Sequence, residues 1–144
     1  MSYATPDDLT ARYPNRDLVQ LTNEDPTATS INTAFAQQAL DDASAEIDSY
    51  LESRFTLPLA DPPAALARIC CDIAMYRIQA LRPLHDLTDA RKRYDDAIAL
   101  LLRVAQGEVT LGLASDAAEP PTAPEVDAVE GPSRVFSRSS LKGF

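Results

Sequence analysis

Ala64-Ala65-Leu66-Ala67-Arg68-Ile69-Cys70-Cys71-Asp72-Ile73-Ala74-Met75-Tyr76-Arg77-Ile78-Gln79-Ala80-Leu81 carries Leu66, Ile69, Ile73, Tyr76 and Ala80 at alternating steps of three and four. That spacing places side chains on one face of an α-helix. Cys70, Ala74 and Met75 widen the stripe, so the segment reads as the most buried helix of a bundle. Asp61-Pro62-Pro63 precedes it and Arg82-Pro83 closes it, proline being compatible with a helix entry but not with its continuation.

Outward from this centre the same period recurs. Leu87-Thr88-Asp89 opens a helix running to about Gln106, with Tyr94, Ala97, Ile98, Leu101, Leu102 and Ala105 expected inward and Gly107 as its left-handed stop. On the other side, a long helix is predicted from about Thr33 to Arg54, capped by Asn32. Its apolar positions are Ala36, Leu40, Ala43, Ile47, Tyr50 and Leu51. Near the start, Thr5-Pro6-Asp7-Asp8-Leu9 combines a cap, a proline at the first helical position and two anions at the positive end of the dipole. That short helix stops before Tyr13-Pro14. Leu18, Val19 and Leu21 form an apolar patch, followed by a polar loop from Thr22 to Ser30. Val109 to Leu113 is either a short strand or an extended segment lying on the bundle. The fold class is therefore all-α: a small bundle of about four helices.

Composition agrees. Hydrophobic residues make up 45% of the 144-residue chain, enough for one folded domain with a single core. Glycine occurs four times and never before Gly107, which disfavours a turn-rich β architecture. The formal net charge of −9 argues against nucleic-acid binding by the body. Cys70 and Cys71 are adjacent, a spacing that strains a mutual disulfide, and read as two buried thiols in a reducing compartment. No signal peptide is visible at Met1-Ser2-Tyr3-Ala4, and no apolar run approaches membrane-spanning length, so no membrane partner is expected.

The inventory for chemistry is thin, and no catalytic, metal or cofactor site is expected. The single histidine, His85, sits between two predicted helices without a nucleophile elbow or glycine loop to support it, and reads as solvent-facing. The rival function, a small cytosolic enzyme, would have to rest on that residue. Neither cysteine nor histidine has metal-ligand spacing, and Asn23-Glu24-Asp25 lacks the alternating acids and central glycine of a calcium loop. Asp41, Asp42, Glu46, Asp48 and Glu52 load the long helix with anions. They form either a solvated face or a surface that meets a basic one on another copy. Arg91, Lys92 and Arg93 offer such a basic partner, which makes Asp41, Asp48, Glu52, Arg91, Lys92 and Arg93 a possible subunit interface. Arg68 and Asp72 read as an ordinary pair within one helix.

The end of the chain differs in kind. From Gly107 to Ser133 there are six carboxylates and no Lys or Arg. Prolines at 120, 121, 124 and 132 keep such a stretch extended. Arg134 to Phe144 then brings three cations and no anion. The chain thus divides into a helical domain (1–113), an acidic linker (114–133) and a basic, aromatic arm (134–144). Arg134, Val135, Phe136, Arg138, Leu141, Lys142 and Phe144 are the arm's expected partner-binding residues.

Several segments together carry a family resemblance. They are Tyr3-Ala4-Thr5-Pro6-Asp7-Asp8-Leu9, Asp42 to Leu51 with Arg54-Phe55-Thr56-Leu57-Pro58-Leu59, and Cys71-Asp72-Ile73-Ala74 followed by Tyr76-Arg77. Arg93-Tyr94-Asp95-Asp96-Ala97, Gly107-Glu108-Val109-Thr110-Leu111-Gly112 and the terminal Arg134 to Phe144 complete the set. In this order they resemble the Mu-type tailed-phage family known as gene product thirty-six, with the linker falling outside the likeness. The resemblance implies a virion structural protein of the head–tail junction, present in the host cytoplasm during assembly. It is similar to adaptors that assemble as a ring, commonly of about twelve copies, beneath the portal. Partners so implied are further copies of the chain, the portal protein and a downstream stopper or tail protein, with DNA passing through the ring without sequence-specific contact. A DNA-packaging accessory protein is the other alternative. The family brings no catalytic motif.

Overall fold

The computed structural model describes residues 2–82 and 86–112. Its elements are α1 (Pro6–Arg12), α2 (Asn15–Thr22), α3 (Thr33–Leu51), α4 (Ala64–Leu81) and α5 (Thr88–Gln106), with no strand among the described residues. The acidic linker, the basic arm and His85 lie outside them.

Caps set the helix ends. The Asp8 carboxylate accepts from the Thr5 amide (2.9 Å) and hydroxyl (2.8 Å), tying the entry of α1. Asn32 accepts from the Phe35 amide at 3.2 Å and starts α3. Gly107 ends α5 at φ 80°. Glycine is favoured there because L side chains rarely adopt that left-handed backbone, and the Arg54 guanidinium packs over the space a Cβ would take.

α4 is the central helix. Leu66, Ile69, Cys70, Cys71, Ile73, Ala74, Met75 and Ile78 are all buried, so its middle is covered on every side. α3 and α5 flank it, and α1 and α2 close the remaining face against α3 and α4. Leu40, Ala43, Ile47 and Leu51 come from α3, and Ala97, Leu101 and Val104 from α5. Each large apolar side chain buried this way contributes about 1.5–3 kcal/mol, so the core outweighs any single surface tie.

Three features depart from the periodic reading. The Leu18–Leu21 patch is itself a helix, α2, entered through Pro14. It locks to the next loop because the Thr22 hydroxyl donates to Leu18 O (2.7 Å) and accepts from the Asn32 amide (3.1 Å). Leu102, expected inward, is 44% exposed. The buried stripe of α5 is centred on Ala97, Leu101 and Val104, and Leu102 stands roughly 100° from Leu101. Ala80 is exposed although it has the right phase, because it lies at the end of α4, past the part its neighbours cover. Ile78 and Val104 are buried instead.

Beyond α5, Val109 and Leu111 pack half-buried against the core. Residues 109–112 thus lie on the bundle without forming a strand, and Leu113 lies outside the described residues.

Candidate functional site

Two carboxylates organise the polar chemistry of the body. Glu46 on α3 accepts from Arg77 of α4 at 2.7 Å and from the Tyr94 hydroxyl of α5 at 2.8 Å, so one side chain joins three helices. Tyr94 stacks on Tyr76 with ring centroids 4.6 Å apart. The Arg91 guanidinium lies 5.9 Å from the Tyr76 ring and pairs with Asp95 at 3.4 Å. The bond to Glu46, with a smaller contribution from burial, pushes the Tyr94 hydroxyl up to about 12. The same carboxylate raises Arg77 further above its ordinary value.

Asp72 on α4 is the second. It accepts from the Tyr13 hydroxyl at 2.7 Å and pairs more loosely with Arg68, one turn earlier, at 3.7 Å. The Arg93 guanidinium sits 5.8 Å from the Tyr13 ring. Arg12, Arg68, Arg93, Asp72 and Asp96 surround a cleft of about 480 Å³ between α1, α4 and α5. Burial first, and then Asp72, raises the Tyr13 hydroxyl well above its usual range.

A third tie joins the N-terminus to α3. The Tyr3 hydroxyl donates to Asp48, and its amide donates to the Ser44 hydroxyl at 3.1 Å. Ser44 in turn contacts the Cys70 sulfur at 3.4 Å. Both cysteines are free and buried, and burial raises both thiols, Cys71 to about 12. Thiols so held are protonated at neutral pH and poor nucleophiles.

The residues predicted as an interface are thus placed as follows. Asp41, Asp48 and Glu52 follow one another at steps of seven and four, which keeps them within about 20° of one stripe on α3. Asp41 is exposed and, among the described residues, accepts only from Gln37, at 2.9 Å, within its own helix. Glu52 is exposed at the end of α3, while Asp48 is half-buried and engaged by Tyr3. Arg91 and Arg93 diverge, one over Tyr76 and the other over Tyr13, with exposed Lys92 between them. The cationic concentration lies instead where Arg93 meets Arg12 and Arg68. Sequence reading missed that cluster because its members come from three helices. Arg68 and Asp72 do pair within α4, as their spacing predicts.

In the Asn23-Glu24-Asp25 loop, Glu24 pairs with Arg82 at 3.1 Å and Asp25 accepts from the Thr27 hydroxyl at 2.6 Å. Among the described residues no group of three or more His, Cys, Asp or Glu side chains is placed to hold a metal, and no helix is long and apolar enough to cross a membrane. The arrangement ties helices together and leaves charged faces outward.

Comparison with known proteins agrees with the resemblance. Residues 3–130 match the family model described as Bacteriophage Mu, Gp36. The match ends within the linker, so it takes in most of the stretch that the resemblance left outside and excludes the arm that the resemblance included. The chain is 40% identical over 142 residues to the Mu-like prophage FluMu protein gp36 of Haemophilus influenzae, covering 99% of this chain and 97% of that protein. It is 38% identical over 144 residues to Gene product J of Escherichia phage Mu, covering 100% of this chain and 99% of that protein. The chain belongs to the Mu Gp36 family.

Proposed function

We propose, with membership of this phage family as the premise, that the chain is a structural protein of the virion, a head–tail adaptor that assembles as a ring beneath the portal. Family membership over nearly the whole chain carries the reading. The fold supports it, because the buried polar groups serve as ties between helices and the free charge lies on the outside.

In the ring, the exposed acids Asp41 and Glu52 on α3 of one copy meet the Arg12, Arg68 and Arg93 cleft and Lys92 of the next. Such a contact between unlike faces is the head-to-tail arrangement that closes a ring. Asp48 and Arg91 support the two faces from within their own chain. The arm, through Phe136, Arg138 and Phe144, reaches a neighbouring copy or the portal, with a downstream stopper or tail protein on the other side. The assembled ring belongs to the virion, and the free chain to the host cytoplasm during assembly.

The test is co-expression with the portal protein of the same phage, followed by electron microscopy of the co-purified particles. A ring on the portal is expected. Reversing charge at Arg12 and Arg68 to Glu should weaken it, and adding Asp41→Lys and Glu52→Lys should restore it. A chain that never associates with portal, at any concentration, overturns the adaptor reading.

A further inference from the structure

One apolar groove borders the Glu46 tie, sharing Tyr76 and Arg77 with it. Phe35, Gln38, Ala39 and Asp42 of α3 and Tyr76, Arg77, Ile78, Ala80 and Leu81 of α4 enclose about 440 Å³. Leu81 is 70% exposed, which makes it the most exposed large apolar side chain of the described residues. Ala39 and Phe35 continue the apolar floor as half-buried residues. Asp42 stands exposed at the rim.

We infer that this groove is the docking site for the C-terminal segment Arg134–Phe144 of its own chain. Three observations select that occupant. The segment brings Phe136, Leu141 and Phe144, the large apolar side chains that a groove floored by Phe35, Ala39 and Leu81 buries. It also brings Arg134, Arg138 and Lys142 to a rim where Asp42 stands exposed, the nearby cations Arg77 and Arg82 being already paired with Glu46 and Glu24. Third, the reach fits. Gly107 packs against Arg54, just beyond the end of α3 opposite the groove, so the chain departs on the order of 20 Å from Ala39 along the helix. Residues 113–133, kept extended by their prolines, reach up to roughly 65 Å at about 3.1 Å per residue, so they span that distance with slack. A tether that can span the distance gives an effective concentration far above that of free chains, so docking within the chain outcompetes a second copy in dilute solution.

The free protein then shields its own sticky end, and a portal or neighbouring copy takes the segment by competition. This docking does not depend on ring assembly, so it is tested on the isolated chain. The full-length protein is made with Phe144→p-benzoyl-phenylalanine in two isotopic forms, mixed in equal amounts, irradiated and mapped by mass spectrometry. Cross-links to residues 35–42 and 76–81 within single isotopic species are expected. Leu81→Glu should reduce their yield about tenfold with the helical circular dichroism unchanged, since Leu81 contributes little to the core. Cross-links between the two isotopic forms would assign the groove to a second copy and overturn the inference. Cross-links to the Arg12 cleft, none at all, or an undiminished yield in the Leu81 variant would equally overturn it.

Discussion

Glu46 and Asp72 are each a carboxylate holding one tyrosine hydroxyl and one arginine, with side chains 15% and 13% exposed, yet they do different work. Glu46 draws both partners from other helices, at 2.7 and 2.8 Å. Asp72 finds its arginine one turn away on the same helix, at 3.7 Å, and reaches outside α4 only through Tyr13. Equal burial and like chemistry thus give unequal tertiary leverage. What matters is how many independent elements the bonded groups come from. A pair within one helix survives any rearrangement of the bundle and says little about it.

The largest expected effect is Glu46→Ala. It removes a charged bond and a tyrosine bond at once, leaving the half-buried Tyr94 hydroxyl unpaired and Arg77, 42% exposed, to solvent, which should cost about 1.5 kcal/mol and lower Tm by roughly 8 °C. Asp72→Ala should cost about 1 kcal/mol in the same thermal melts, nearly all of it through Tyr13. Equal losses at the two sites would break the contrast.

Alkaline titration sharpens the comparison. The folded pKa of Tyr94 is raised from an ordinary 10.0 to about 12, so its contribution is complete below pH 10 and is lost as pH rises from 10 through 12. The loss should be below about 1 kcal/mol, because the group is only partly buried, and Tyr94→Phe should make that limb of the stability profile shallower without removing it, since Tyr13 and Cys71 are raised as well. Arg68→Ala is the smallest change. Its guanidinium is 61% exposed and its ion pair local, so a cost below about 0.5 kcal/mol is expected in urea melts, with the Tyr13–Asp72 bond kept.

The helices α1, α3, α4 and α5 were legible because each announces its ends locally, through Thr5-Pro6, Asn32, Pro63 and Gly107. α2 was not, since its three apolar residues span barely one turn and its entry is a proline that also reads as a loop. Glu46 was hidden by its own neighbourhood. Asp42 and Glu46, four apart, look like a solvated anionic face, and nothing near them in sequence points to Arg77 or Tyr94. The basic cleft was hidden in the same way, because Arg12, Arg68 and Arg93 come together only across helices.

The sequence by itself determined an all-helical chain, the helix whose apolar stripe makes it central, and the compositional break between an acidic linker and a basic, aromatic end. Those properties follow from local periodicity, capping and charge, each read within a few residues. Only the tertiary structure decided which carboxylates are ties and which are free surface, and where an apolar groove stays open beside Leu81. Those depend on side chains that lie tens of residues apart and meet when the helices pack.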